Sequence, residues 1–203
     1  NNKGIVKMVT PANYVSAIVK YSKARWFAGD QTLIHLGEDA RKGPVLLAQQ
    51  KKTVLVLVIG EASRAENYSL NGYGRDTNPE LEKQEMINFP QASSCGTETA
   101  VSVPCMFSGM PRKKYDADLA HHQEGLLDVL AHAGVNLLWR DNDGGCKGAC
   151  NRIPHTDMTQ WKLDQFCKDK SCIDDVNLYR LNETLDGLKQ DTVLVIHLMG
   201  SHG

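Results

Sequence analysis

The chain has 203 residues and a formal net charge of -1 at pH 7, and 41% of its residues are hydrophobic. This length predicts one domain that is large enough to bury a substantial core. The balanced charge argues against a nucleic-acid partner, which would require a positively charged stripe or patch. The longest strongly apolar run, Thr53–Gly60, has eight residues, whereas a transmembrane helix needs roughly 20. The first residues lack the apolar region of a signal peptide, so we expect neither a membrane span nor a leader in this stretch.

Hydrophobic periodicity predicts the elements in chain order. An amphipathic helix is predicted over residues 11–26, with Pro11 as its first residue. Three apolar runs predict buried parallel strands, at residues 53–59, 135–139 and 192–198. Two leucine-rich stretches predict helices, at residues 123–133, where Gly134 ends the helix, and at residues 174–189. Strands that alternate with helices indicate an α/β fold with a parallel sheet flanked by helices.

Six cysteines form three pairs that are local in sequence: Cys95 and Cys105, Cys146 and Cys150, and Cys167 and Cys172. An even number of cysteines in local pairs is typical of disulfides in an oxidising compartment. The alternative is a zinc site made by the last four, but spacings of three and four residues are less regular than those of zinc ribbons. We predict that each local pair is disulfide-bonded and that residues 144–172 form a long loop held by two of the bonds.

The segment Ser94–Ser108 places Thr97 and Thr99 directly before an apolar run that is compatible with a helix. The amides at the start of a helix are unpaired and the helix dipole is positive there, so an alkoxide or a phosphate is stabilised. Glu61 follows the first predicted strand, at the edge where open α/β sheets bind ligands. Together they suggest a metal-activated threonine nucleophile. From local sequence alone, a helix N-cap is the alternative for Thr99, and hydrogen bonding to the following loop is the alternative for Glu61.

A glycine-rich polar loop, Asp141–Lys147, follows the second predicted strand. Its composition alone accounts for a turn, but Lys147 could meet the charge of a phosphate and Asp143 that of an ammonium group. Further along, His197 lies within the third predicted strand, where we expect it to be packed, and His202 lies in the loop that follows.

Six separate stretches carry a family resemblance: Val58–Asn67, Asn71–Tyr73, Arg75–Pro79, Ser94–Ser108, Trp139–Gly148 and His197–Gly203. In this order they resemble the lipid A phosphoethanolamine transferases of the EptA and MCR type, a branch of the alkaline phosphatase and sulfatase superfamily. The resemblance implies the α/β fold of that superfamily. It runs from about Lys51 to the last residue. We therefore expect residues 51–203 to be the N-terminal portion of a periplasmic catalytic domain, and residues 1–50 to be the linker that precedes it.

The resemblance also implies roles for single residues. The family nucleophile is the second threonine of a Cys-Gly-Thr-x-Thr segment, which is Thr99 here, and the carboxylate of a Gly-Glu-x-x-Arg segment binds zinc, which is Glu61. The loop of Asp143 and Lys147 matches the loop that holds the phosphoethanolamine group. His202 matches a histidine that binds substrate or a second zinc ion. Because Zn²⁺ lowers the pKa of an oxygen that it coordinates, the resemblance implies that zinc, bound to Glu61 and Thr99, activates the threonine.

Two departures from the family pattern matter. Family members complete the zinc site with an Asp-His pair that lies further on than Gly203, the last residue here. We therefore expect residues 1–203 alone to lack the C-terminal part of the domain, to bind zinc weakly and to be inactive, unless His197 and His202 complete the site. Sulfatases need a Cys-x-Pro-x-Arg motif, which neither Cys95 nor Cys105 begins, so sulfatase activity is excluded.

The resemblance implies that the intact protein acts at the periplasmic face of the bacterial inner membrane, anchored by a transmembrane domain that is absent from this chain. It would transfer phosphoethanolamine from phosphatidylethanolamine to a lipid A phosphate through a phosphothreonine intermediate, and the lower negative charge of lipid A would weaken polymyxin binding. Two alternatives stay open. One is a related metal-dependent phosphodiesterase or a transferase with a glycan acceptor, and the other is a non-catalytic binding module held by disulfides, which would need no zinc.

Overall fold

The structure, a computed structural model, describes residues 12–26, 32–169, 171–200 and 202. The chain divides into two compact units, residues 1–33 and residues 34–203. Within the first unit, Ala12–Trp26 form helix α1, as the periodicity predicts, and the predicted first residue, Pro11, lies outside the described residues. None of the helices in the described ranges is long and apolar enough to cross a membrane.

The second unit is built on a four-stranded sheet. Its strands are β1 (Val54–Ile59), β2 (Asn136–Asp141), β3 (His155–Asp157) and β6 (Thr192–His197). They lie side by side in the order β1-β6-β2-β3, and each neighbouring pair is parallel. The predicted α/β fold with a parallel sheet is confirmed, and the three apolar runs form three of these strands.

Short helices connect the strands. The α-helices are α2 (Pro44–Leu47), α3 (Pro79–Glu82), α4 (Thr99–Phe107), α5 (Ala117–His122), α6 (Leu126–His132) and α7 (Leu181–Gly187). Shorter 3₁₀ helices lie at Ala65–Asn67, Ser69–Asn71, Arg112–Lys114, Met158–Trp161 and Asp174–Leu178. Gly134 follows α6 with a φ of +73°, which is the left-handed backbone that ends a helix, as the sequence predicts.

The main core packs α4 and α6 against the sheet. Its buried members include Val103 and Phe107 of α4, Leu127 of α6, Trp139 of β2 and Val195 of β6. The rings of Phe107 and Trp139 lie 5.6 Å apart. Burial of apolar surface contributes about 25 cal/mol per Å², so this packing holds α4 firmly and gives its first turn a defined position near the ends of the strands.

One predicted helix is wrong in its extent. The stretch 174–189 forms a 3₁₀ helix and then α7, and Arg180 between them has a φ of +51°. The buried guanidinium of Arg140 donates hydrogen bonds to the carbonyl oxygens of Asn177 and Tyr179, at 2.7 and 2.9 Å. A continuous α-helix would use these carbonyl oxygens for its own amides. A contact between distant parts of the chain therefore interrupts the predicted helix.

The cysteine-rich stretch 144–172 has more regular structure than the predicted loop. It contains β3 and an antiparallel hairpin of β4 (Cys167–Lys168) and β5 (Ser171–Cys172). These strands have two or three residues each, too few for a period to show in the sequence. The three predicted disulfides, Cys95–Cys105, Cys146–Cys150 and Cys167–Cys172, are all present, so the alternative zinc site of four cysteines is wrong.

The first strand, β1, is less buried than predicted. Of its six residues, Ile59 alone is buried, whereas all six residues of β6 are buried. The reason is position, because β1 lies at one edge of the described sheet and β6 lies between β1 and β2. An apolar run therefore predicts a parallel strand correctly here but does not say whether the strand is central.

Candidate functional site

The carboxyl ends of the four parallel strands form one row of polar and apolar residues. Four residues, each the last of its strand, lie next to one another across the sheet. In neighbouring strands, Ile59 is paired with His197, His197 with Asp141, and Asp141 with Asp157. Open α/β sheets bind ligands beyond this edge. The side chains that follow these four residues are therefore the first place to look for a site.

Thr99 and Glu61 meet beyond this edge. The Oγ1 hydroxyl of Thr99 donates a hydrogen bond to Oε2 of Glu61 at 2.8 Å. Thr99 is the first residue of α4, and the N-cap is Glu98, so the alternative that Thr99 caps the helix is wrong. The amides of Thr99 and Ala100 make no hydrogen bond within the described residues. A hydroxyl and two free amides at a helix start suit the attack on a phosphate, because the amides stabilise negative charge.

Asp141 and His197 form a buried pair at the row of strand ends. Oδ2 of Asp141 accepts hydrogen bonds from Nδ1 of His197 at 2.9 Å and from Nε1 of Trp139 at 3.0 Å. Oδ1 accepts the amides of Asp143 and Gly145, at 3.0 and 2.7 Å. Burial raises the pKa of Asp141, but the hydrogen bonds from the imidazole, the indole and the Gly145 amide outweigh it and bring the pKa to about 2. An ionised carboxylate only accepts, so Nδ1 of His197 donates in this hydrogen bond, and Nε2 is the ring nitrogen that remains for a further partner.

That free nitrogen faces two further carboxylates. Nε2 of His197 is buried, has no hydrogen-bond partner within the described residues, and lies 3.6 Å from Oδ2 of Asp143. Glu61, Asp143 and His197 each offer one ligand atom, and these atoms lie within 4.8 Å of one another. Burial raises the pKa of Asp143. Imidazole nitrogen and carboxylate oxygen are ligands of zinc, and a metal-binding histidine commonly donates its other N–H to a carboxylate. The three residues therefore fit a zinc ion.

Lys147 and His202 border the same space. The pocket has a volume of about 690 Å³, and its lining includes Glu61, Thr99, Asp143, Lys147 and His202. Nζ of Lys147 donates hydrogen bonds to the carbonyl oxygens of Asp143 and Gly144, at 3.0 and 3.3 Å. An ammonium group has three hydrogens, so one remains for a ligand. The pocket thus combines a hydroxyl, carboxylates and a cation, a set that suits a phosphate ester with an amine.

Two residues with a left-handed backbone flank the pocket. Ala62, which follows Glu61, has a φ of +54°, and Lys147 has a φ of +52°. Such residues cost of order 1–3 kcal/mol each when they are not glycine, and they are concentrated at functional sites. Gly200 also has a positive φ, and a Cβ added there would lie 2.8 Å from the carbonyl oxygen of Glu61. A side chain at position 200 would therefore displace Glu61.

The structure brings together the five residues that the sequence analysis proposes for the site, Glu61, Thr99, Asp143, Lys147 and His202. Their roles stay predictions. Sequence reasoning does not single out Asp141, and it expects His197 to be packed within its strand, with completion of the zinc site together with His202 as the alternative. His197 is buried as expected, but its open nitrogen faces the site. The signal that could identify the pair is that His197 lies near the end of one predicted strand and Asp141 lies just beyond the end of another.

Comparison with known proteins gives a family and several relatives. The profile described as "Sulfatase" matches residues 53–203. The phosphoethanolamine transferase EptA of Salmonella typhimurium is 50% identical over 203 residues, which are 100% of this chain and 37% of that protein. The chain thus spans well under half the length of this curated relative.

Two solved structures share the fold. One is an integral membrane protein of Neisseria meningitidis, the lipooligosaccharide phosphoethanolamine transferase A, with a TM-score of 0.90 and 41% identity over 100% of this chain and 38% of that one. The other is the C-terminal periplasmic domain of phosphoethanolamine transferase EptC from Campylobacter jejuni, with a TM-score of 0.69 and 39% identity over 85% of this chain and 50% of that one.

Proposed function

Because this chain belongs to the sulfatase family, we propose that the protein that carries it transfers phosphoethanolamine from phosphatidylethanolamine to a phosphate of lipid A. The observation that supports this most is the contact between the Thr99 hydroxyl and the Glu61 carboxylate at the free end of a helix. The relatives that match the whole chain bear the name phosphoethanolamine transferase. We place the reaction at the periplasmic face of the inner membrane, where the donor lipid and lipid A are both present.

Zinc is the metal that the pocket would hold. Glu61 and Thr99 are the proposed ligands, and Asp143 and His197 lie close enough to complete the set. The buried, unpaired Nε2 of His197 supports this, because a buried nitrogen without a partner is costly unless a ligand satisfies it. A bound Zn²⁺ lowers the pKa of a coordinated hydroxyl and so favours its ionised form. Asp143 also stays a candidate partner for the ammonium group of the substrate.

The chain's own residues would act in two displacements. Oγ1 of Thr99 attacks phosphorus, the bond from phosphorus to the diacylglycerol oxygen breaks, and the proton of the hydroxyl ends on the released diacylglycerol. The free amides at the start of α4 stabilise the charge on the phosphoryl oxygens. Lys147 and His202, which both line the pocket, bind the phosphate-bearing headgroup equally before and during the attack. An oxygen of a lipid A phosphate then attacks the same phosphorus, the bond from phosphorus to Oγ1 of Thr99 breaks, and Oγ1 regains a proton from the attacking phosphate group. Splitting a difficult transfer into two steps is the advantage of covalent catalysis.

The test uses the whole protein with phosphatidylethanolamine, in the presence and absence of lipid A. We expect modified lipid A, and we expect Thr99→Ala to lower its formation by at least about 1,000-fold, as removal of a nucleophile does. Thr97→Ala is the matched control, since Thr97 lies two residues away and should lower the rate far less. Release of phosphoethanolamine into water in place of transfer would indicate a phosphodiesterase, and equal rates for Thr99→Ala and the unchanged protein would overturn the proposal.

A further inference from the structure

Asp174 connects segments that border the pocket but are distant in sequence. It begins the 3₁₀ helix Asp174–Leu178. Oδ1 of Asp174 accepts hydrogen bonds from the amide of Met199 at 2.7 Å and from Nδ2 of Asn142 at 2.8 Å. Oδ2 accepts the amide of Gly200 at 2.8 Å. An aspartate at the start of a helix commonly binds the amides of its own helix, but these three bonds all go to other parts of the chain.

One set of these bonds fixes the loop after β6. Met199 and Gly200 precede His202, whose amide donates a hydrogen bond to the carbonyl oxygen of Met199 at 3.2 Å. Gly200 in turn lies against the backbone of Glu61. Because both amides of the turn bind one carboxylate, Asp174 determines where the loop places His202.

The other bond fixes the loop after β2. Asn142 is buried, and its Nδ2 also donates to the carbonyl oxygen of Cys172 at 3.0 Å. Its amide binds the carbonyl oxygen of His197 at 3.1 Å. Asn142 directly precedes Asp143, so the start of the loop that carries Lys147 is held at the same point. The loop of Lys147 and the loop of His202 therefore share one carboxylate as their common support.

We propose that Asp174 is a positioning residue that sets the separation of Lys147 and His202 and thereby the affinity of the pocket for the phosphate-bearing headgroup of the donor lipid. This inference rests on the proposed function, because it takes these two residues as the headgroup contacts. Thr99 is held by α4, and Glu61 follows β1 by two residues; neither side chain bonds to Asp174, and the one link to Glu61 is the contact of Gly200 with its backbone. Loss of the support should therefore weaken headgroup binding and leave the attack by Thr99 intact.

The test compares Asp174→Asn with Asp175→Asn in the whole protein. Asp175 is the next residue and is exposed, and its carboxylate makes no hydrogen bond within the described residues, so it is a matched control. For Asp174→Asn we expect the KM for phosphatidylethanolamine to rise about tenfold with kcat within about twofold, which is the signature of lost uniform binding. The zinc content should equal that of the unchanged protein. Asp175→Asn should leave both constants unchanged.

A second readout does not depend on activity. Hydrogen exchange at the amides of Met199 and Gly200 should be faster in Asp174→Asn than in Asp175→Asn, because these amides lose a charged acceptor. If the unchanged protein transfers no phosphoethanolamine, the proposed function fails, whereas the exchange result still tests the support of the loop. An unchanged KM in an active Asp174→Asn protein overturns the inference. A fall in kcat and in the unfolding midpoint with no change in KM also overturns it, because that is the behaviour of a merely structural residue.

Discussion

Two clusters of histidine and carboxylate side chains lie within residues 34–203. They differ in whether a buried polar atom is left without a hydrogen-bond partner. The strand-end cluster consists of Asp141, Asp143 and His197. The helix cluster consists of Glu124, His35 and His132. In both clusters a buried carboxylate binds an imidazole at about 3 Å, and each has three members, two carboxylates and one histidine in the first and one carboxylate and two histidines in the second. The strand-end cluster leaves Nε2 of His197 buried and without a partner within the described residues.

In the helix cluster, both carboxylate oxygens of Glu124 have hydrogen-bond partners, so we call this cluster saturated. Oε1 of Glu124 binds Nδ1 of His35 at 3.1 Å, and Oε2 binds Nε2 of His132 at 2.9 Å and the amide of Leu36 at 2.9 Å. The side chains of His35 and His132 are 53% and 29% exposed, so water reaches their rings. Burial raises the pKa of Glu124, but the hydrogen bonds from His132, Leu36 and His35 outweigh it and bring the pKa to about 2. This cluster holds the segment around Leu36 to α6 and the residues just before it.

The comparison shows that residue types alone do not mark a site. What separates the two clusters is an unsatisfied buried atom and a convergence of further groups on it. A buried polar atom without a partner costs roughly 1–3 kcal/mol. A protein tolerates this cost at a site where a bound ligand supplies the missing partner. The strand-end cluster is therefore the functional one in our account, and the helix cluster is structural. Four predictions test that distinction.

The largest expected difference is in transfer activity. His197→Ala removes the open nitrogen, and we expect the rate of phosphoethanolamine transfer by the whole protein to fall at least about 100-fold. His132→Ala is the control, because it removes an imidazole from the saturated cluster, and its rate should stay within about twofold of the unchanged protein. Similar losses in the two variants would remove the distinction between the clusters.

Zinc affinity should separate the clusters next. Asp141→Asn replaces an acceptor by a group that can donate, so the proton on Nδ1 of His197 is no longer fixed, and we expect zinc affinity to fall about 10- to 100-fold. Glu124→Gln makes the same chemical change in the helix cluster and should leave zinc affinity unchanged. Competition with a chromophoric chelator measures both. Equal zinc affinity in Asp141→Asn and the unchanged protein would contradict the proposed metal site.

Changes in the helix cluster should lower the stability of the fold, although they leave activity and zinc affinity unchanged. Glu124→Gln leaves the donors of His35, Leu36 and His132 without a charged acceptor at a buried position, and we expect the free energy of unfolding to fall by about 1–3 kcal/mol. The control is Glu80→Gln, because Glu80 is exposed and pairs with Lys83 at the surface, where a change is usually within about 0.5 kcal/mol. Urea unfolding measures both. A stability equal to that of the unchanged protein would show that Glu124 does not hold this region together.

The smallest effect is the pH dependence of that stability. The pKa of Glu124 is about 2 in the folded protein, below its ordinary value of 4.5. A lowered pKa means that the stabilisation by Glu124 is complete above about pH 4.5 and is lost as the pH falls towards and through 2. The difference in unfolding free energy between the unchanged protein and Glu124→Gln should therefore shrink between pH 5 and pH 3. A difference that grows in this range would give the opposite sign and refute the assignment.

Local pattern predicts most of the sheet but not its order. The three apolar runs become parallel strands, because a continuous run of β-branched and leucine residues suits a sheet covered on both faces. The order β1-β6-β2-β3 depends on pairing between distant segments, which no local pattern contains. The broken helix at Arg180 has the same origin, since the contact that interrupts it comes from Arg140, about 40 residues earlier.

The candidate site divides in the same way. Thr99 and Glu61 were predictable because each stands beside a recognisable element, and the family resemblance assigns them their roles. The pair of Asp141 and His197 was not, because these residues are 56 positions apart and meet only through the register of β2 and β6. Asp174 is a similar case, since its partners Met199 and Gly200 follow it by 25 and 26 residues.

The central claim is that Thr99 carries the transferred group, and mass spectrometry tests it most directly. The whole protein is incubated with phosphatidylethanolamine in the absence of an acceptor, digested, and mapped. We expect a phosphoethanolamine adduct on Thr99, because its hydroxyl contacts Glu61 and stands at the free start of α4. The adduct should be absent from Thr99→Ala and should disappear from the unchanged protein when lipid A is added. An adduct on Thr97, Ser94 or Ser102, or transfer without any adduct, would contradict the account.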